Sequence, residues 1–211
     1  QGRVLTELIH ALKLGPTAVT GGSAGSRTSL FAALHDASAV SHIIPFWISG
    51  GTRQNLYLGG SYYATPAAVA RMLGLAAVLE LPHWTFIRDD PRKREAFLKL
   101  EVDWFIAKME KWSETFMPSD DSPVPGMTPA DFARLTMPTL IIRGTKTDIF
   151  HPAHISDWVH KLMPHSEMIE PPWHDNAPFE RMGDSVRSKG QICPFSDWKM
   201  LAPAILEFTS R

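Results

Sequence analysis

Cysteine is almost absent from these 211 residues: Cys193 stands alone. No internal disulfide can staple the chain, and a reducing, cytoplasmic setting is the default expectation. An excess of charge is missing too. Twenty-one Lys and Arg against 22 Asp and Glu leave a formal net charge of −1, which gives no basic footprint for a phosphate backbone and argues against nucleic acid as a partner. Long apolar runs are lacking as well. The stretches His42–Ser49 and Leu73–Leu81 fall far short of the roughly 20 residues that a membrane-spanning helix needs, so no membrane role is expected. There is no internal repeat, and no positively charged start followed by a signal-type apolar segment. Seventeen prolines and 14 glycines are scattered along the chain as punctuation between short elements, not gathered into a linker. What is present is an ordinary globular composition, 44% hydrophobic and 20% charged, able to bury a core. Small-molecule chemistry is the class left standing.

Apolar side chains at Val4, Leu5, Leu8, Ile9 and Leu12 predict a helix over Arg3–Leu14, stopped by Gly15-Pro16. Thr17–Thr20 is a short β-favouring run that breaks into Gly21-Gly22-Ser23-Ala24-Gly25, and Ser29–His35 returns to helical spacing. Ser41–Ser49 reads as a strand buried on both faces, closed by Gly50-Gly51. Strand signals then vanish until Leu135. Helical patterns around Pro66–Glu80, Arg92–Lys111 and Pro129–Leu135 fill the gap, the last with Thr128 at the N-cap, Pro129 in the first turn and Asp131 three residues after the cap. Thr139–Arg143 and Ser166–Ile169 are two further strands, separated by an amphipathic helix through Ile155, Trp158, Val159 and Leu162. An irregular stretch to Ser196 and a final helix, Trp198–Phe208, complete the reading. Strands and helices that alternate on both sides of an all-helical insert predict an α/β domain with a parallel sheet, helices on both faces, and a helical second layer. The expected division is core over residues 1–51, insert over 52–136, and core again over 137–211.

Gly21-Gly22-Ser23-Ala24-Gly25 matches G-x-S-x-G, in which a serine sits on a sharp strand-to-helix turn with its hydroxyl exposed. The pattern alone arises by chance about once in twenty chains of this length, at ordinary glycine frequency. A strand before it and a helix after it supply the context that the motif needs. The expected reason for its glycines is steric, since side chains two residues either side of the serine would collide where the strand folds back.

Three segments resemble the α/β-hydrolase family: Thr17–Ser26 (TAVTGGSAGS), Met137–Pro152 (MPTLIIRGTKTDIFHP) and Ile169–Pro178 (IEPPWHDNAP). The resemblance runs over essentially the whole chain. It implies an α/β-hydrolase fold with Ser23 as nucleophile, Asp148 as the acid in a glycine-led loop after a strand, and His174 as the base after the last strand, in the order Ser, Asp, His. The chemistry agrees. A serine hydroxyl is a poor nucleophile at neutral pH and needs a base, and a histidine needs a carboxylate to fix its tautomer. Loops at the C-terminal ends of parallel strands meet at one sheet edge, which would gather the three side chains.

Other candidates are weaker. The strand after the nucleophile ends in Ser49-Gly50-Gly51 with no carboxylate, so Asp148 has no competitor there. Asp175 adjoins His174 and, on an extended chain, points away from it. Ser26 lies in the helix after the elbow. His151, His154, His160 and His165 are close in sequence, but His154 and His160 are six apart, which is not a ligand spacing on a helix; no metal and no cofactor are expected. Cys193 reads as an ordinary loop or core residue.

The resemblance implies that the helical insert is a cap, or lid. Its aromatics, with those of the neighbouring strand, give the candidate substrate-binding residues Trp47, Tyr62, Tyr63, Trp84 and Trp112, although Trp104, Phe105 and Phe116 share the 3- to 4-residue spacing of residues that pack inward. One oxyanion donor is expected at the Ala24 N–H. The family's sheet has further strands before the nucleophile strand, and one of their loops gives the second donor. Neither is found in these residues, so the expected partners are a small-molecule substrate and an N-terminal chain or fragment that completes the sheet. The activity implied is hydrolysis of an ester or lactone of a small apolar substrate. Carbon–carbon bond hydrolysis, acyl transfer with the same triad, or a non-catalytic binding role on the same fold are the alternatives.

Overall fold

The computed structural model describes residues 1–188 and 190–211. Four strands form one parallel sheet: β1 (Thr17–Gly22), β2 (Val40–Phe46), β3 (Leu140–Ile142) and β4 (Glu167–Ile169), ordered β1-β2-β3-β4. Register is fixed by Val19 against Ile43 and Thr20 against Ile44 on one side of β2. Phe46 opposite Ile142 sets it on the other. Alternation along the strands sorts the core. Val19, Ile43 and Ile141 face one layer, with Ile9 of α1 (Gly2–Ala11), Leu30 and Ala33 of α2 (Ala24–His35), and Ile155 and Val159 of the helix Ala153–Leu162. Ile44, Phe46, Leu140 and Ile142 face the other, with Leu201 and Phe208. Helices therefore cover both faces. Side chains such as Ile43, Ile44 and Ile141 have no exposed surface, and each such burial stabilises the fold by about 1.5–3 kcal/mol.

Element boundaries follow local backbone constraints. β2 ends at Phe46, short of the expected Ser49, because Trp47 takes a left-handed backbone conformation (φ 47°) that a strand cannot hold. The helix expected over Pro66–Glu80 is cut into Thr65–Leu73 and Leu75–Val78 at Gly74 (φ 80°). Arg92–Lys111 becomes Pro91–Leu98, N-capped by the Asp90 carboxylate, and Val102–Glu114. The capping box before Pro129–Arg134 is present as expected, with Thr128 and Asp131 bonded reciprocally. A helix not foreseen, Ala177–Arg187, occupies part of the stretch read as irregular.

The chain divides into two compact units. Residues 1–50 and 121–211 form the sheet unit. Residues 51–120 form a helical unit with its own core, in which Ala70, Val78, Phe97, Phe105, Ile106 and Met109 are buried. The stretch 121–136, read from sequence with the insert, lies in the sheet unit, where Val124, Met127, Phe132 and Leu135 join the core. Among the described residues no helix is long and apolar enough to cross a membrane.

Candidate active site

β1 runs into α2 through Ser23, whose φ of 55° and ψ of −120° are unlike those of either element. Close approach explains two glycines before it. A Cβ on Gly21 would come within 2.5 Å of the Gly25 backbone. One on Gly22 would lie 2.6 Å from the Phe46 ring, itself held edge-on against Trp198 at 4.8 Å. A larger residue before the serine therefore has no room here. Gly25 differs from the expectation: a Cβ there would meet nothing within 4 Å. Ser26 has a use of its own, since it is fully buried and its hydroxyl donates to the Ser23 carbonyl at 2.6 Å. The Ser23 N–H donates to the carbonyl of Trp47 at 2.9 Å. Ala24 opens α2, so its N–H is among those without an acceptor inside the helix.

The side chain beside Ser23 is His151. Its Nε2 lies 3.0 Å from Ser23 Oγ, and its Nδ1 lies 3.1 Å from Asp148 Oδ2. Asp148 is 4% exposed and sits in the loop after β3. Burial opposes its ionisation, but the His151 ring and the N–H groups of Phe150 and His151, at 2.8 and 3.0 Å on Oδ1, outweigh burial and hold its carboxyl below the usual range. This local turn folds His151 back over the carboxylate that its own backbone helps to bind. An ionised Asp148 only accepts hydrogen bonds, so the neutral His151 carries its proton on Nδ1 and Nε2 accepts from the Ser23 hydroxyl. Ser49 Oγ is 3.3 Å from Ser23 Oγ. Since Ser23 has one hydrogen and directs it to His151, Ser49 is the donor in that contact.

His174 is in a different place. It is on the surface, its side chain 65% exposed, with Nε2 3.2 Å from Glu180 in the helix Ala177–Arg187. The loop that carries it does adjoin the Asp148 loop, but through Asp175: the Lys146 N–H donates to Asp175 Oδ1 at 3.3 Å and the Thr147 hydroxyl to its carbonyl at 2.7 Å. Of the expected set, the structure brings Ser23 and Asp148 together through His151. On sequence alone His151 is one of four histidines, with His154, His160 and His165, that share no ligand spacing. Its signal was present in D-x-x-H, a spacing that lets an Asx-type turn return the ring to the carboxylate.

Trp47 is 8% exposed and stacks on the His151 ring. The other candidate substrate residues lie in the helical unit, against its own aromatics: Tyr63 with Trp112 and Phe116, Trp84 with Phe97 and Phe105, and Tyr62 with Tyr63 and His83. Tyr62 and Trp112 keep 41% and 45% of their surface exposed. Among the described residues no group of three or more His, Cys, Asp or Glu side chains could hold a metal ion. Cys193 is exposed.

A serine on a strand-to-helix elbow, facing a histidine and a buried aspartate at the C-terminal edge of a parallel sheet, defines the nucleophile-elbow class of α/β proteins. The chain has the α/β-hydrolase fold. A hydrolase of Oleispira antarctica aligns with 100% of this chain and 71% of its own, at a TM-score of 0.55 and 15% identity. A carboxylesterase of Nitrososphaera gargenis aligns with 99% of this chain and 71% of its own, at 0.51 and 19%. No family model and no curated protein matches the sequence.

Proposed function

We propose that this chain is a serine hydrolase acting on a carboxylic ester or lactone of a small apolar substrate, with Ser23 as nucleophile, His151 as base and Asp148 as acid. The observation that carries the reading is the hydrogen-bonded line from Ser23 Oγ through His151 to Asp148. In this scheme Oγ attacks the carbonyl carbon as its proton passes to Nε2. The Ala24 N–H meets the oxyanion. The leaving alkoxide takes the proton from Nε2, and the acyl group stays on Ser23 as an ester. Water then attacks, His151 again removes a proton, and release of the acid restores Ser23. Asp148 stays ionised throughout and stabilises the imidazolium in each half-reaction. Ester chemistry itself is carried over from the fold by analogy. In the described sheet β1 has β2 on one side only, and a segment pairing along its other side would be the source of a second oxyanion donor.

A fluorophosphonate probe followed by peptide mass mapping, with a panel of nitrophenyl esters and a diketone assayed in parallel, tests the proposal. Modification at Ser23 with ester turnover is expected. Diketone cleavage without ester turnover would move the reaction to carbon–carbon bond hydrolysis, and an inert Ser23 would favour a binding protein.

A further inference from the structure

Trp47 touches both halves of the site. Its carbonyl accepts the Ser23 N–H at 2.9 Å, and its indole lies nearly parallel to the His151 ring, with centroids 5.2 Å apart and planes 14° from coplanar. Two further rings wedge the indole in place. Trp198 meets it edge-on at 5.3 Å and 86°, and Phe195 at 6.1 Å and 65°. The backbone of Trp47 is in the left-handed region (φ 47°), a strained conformation for a side chain of this size. A residue that bears such strain just where β2 ends turns its ring and its carbonyl toward the same pair of residues.

We propose that Trp47 is a positioning residue of the base. Two hydrogen bonds hold the His151 ring at its Nδ1 and Nε2 edges but put nothing against its face, so the ring can still rock within its χ1 and χ2 wells. The indole face removes this freedom. It also presents the negative face of a π-system to the ring that becomes an imidazolium when the Ser23 proton arrives, an attraction that grows as charge develops. The same residue, through its carbonyl, fixes the elbow from which Oγ is aimed. Trp47 was a candidate substrate contact on sequence grounds; this inference instead gives it a role through His151, and it rests on the hydrolase reading.

The test combines kinetics with a spectroscopic readout that needs no turnover. In wild type the Cε1–H proton of His151, assigned by its loss in His151→Ala, is expected to be displaced from its random-coil position by the ring current of the stacked indole. Trp47→Leu should move that resonance back and lower kcat roughly 10- to 30-fold, with KM changed less than about twofold because substrate contacts are not lost. Trp47→Phe keeps an aromatic face and should recover most of both signals. An unshifted His151 proton in wild type overturns the inference without any variant. So does a Trp47→Leu enzyme with wild-type kcat, while the hydrolase reading survives. A shifted proton in a wild-type protein whose Ser23 is inert to fluorophosphonate and that turns over neither ester nor diketone overturns the hydrolase reading and this inference with it.

Discussion

His151 Nε2 stands 3.0 Å from Ser23 Oγ across a sequence separation of 128 residues, while the Asp148 that orients it is only three residues away. His151 and Asp148 therefore come from one loop after β3, and Ser23 from another after β1. Because the Asp148–His151 pair is local, its geometry depends on the turn closed by Asp148 Oδ1 and on what packs behind it. Each of these can be perturbed separately.

Asp148→Asn is expected to lower kcat/KM by about 10⁴-fold with little change in fold. The Asn amide can donate to Nδ1 and so favours the tautomer protonated on Nε2, which cannot take the Ser23 proton. Steady-state kinetics with a nitrophenyl ester, alongside circular dichroism, checks both halves of the expectation.

How much of this was legible beforehand depended on range. Ser23 and Asp148 could be read because each follows an apolar strand and sits in a glycine-led turn, signals carried within ten residues. The parallel sheet followed from the same runs. The histidine that lies beside Ser23 could not be read that way. His174 had chain order in its favour, but chain order says nothing of which ring is turned inward, and that is decided by tertiary contacts: Asp175, not His174, bonds the Asp148 loop, and Glu180 takes the His174 ring. The break of β2 at Trp47 and the helix Ala177–Arg187 were missed for related reasons. An apolar run does not reveal a left-handed residue within it, and Gly183 together with Asn176 and Pro178 reads as loop until packing is known.

The glycines of the site should respond unequally to alanine. A Cβ on Gly144 would collide with the His151 carbonyl, so Gly144→Ala should shift the His151 backbone, destabilise the fold by about 1–3 kcal/mol and lower activity beyond that loss. Gly21→Ala should be at least as damaging, through the Gly25 backbone. Gly25→Ala, with open space around its Cβ, should be neutral or stabilising by up to roughly 1 kcal/mol, the helix propensity gained. Urea unfolding curves of the three variants rank them.

Acid sensitivity should report the state of Asp148. Its carboxyl titrates below the ordinary range in the folded chain, so it contributes stability that is fully present above its unfolded pKa of about 3.9. That contribution is lost as pH falls through the lower folded value. His151→Ala removes the ring contacts that lower the pKa while leaving the burial that raises it. Its Asp148 should therefore titrate at higher pH than in wild type, and acid unfolding should begin at a higher pH. Carboxyl 13C titration and tryptophan fluorescence against pH measure the two effects.

The most direct test of the account compares His151→Ala with His174→Ala for fluorophosphonate labelling of Ser23 and for nitrophenyl ester turnover. If His151 is the base, His151→Ala abolishes labelling and lowers kcat by about 10⁴-fold or more, whereas His174→Ala, which removes only an exposed contact with Glu180, labels and turns over within about twofold of wild type. Loss of labelling in His174→Ala with wild-type reactivity in His151→Ala would contradict it and return the base to the loop after β4.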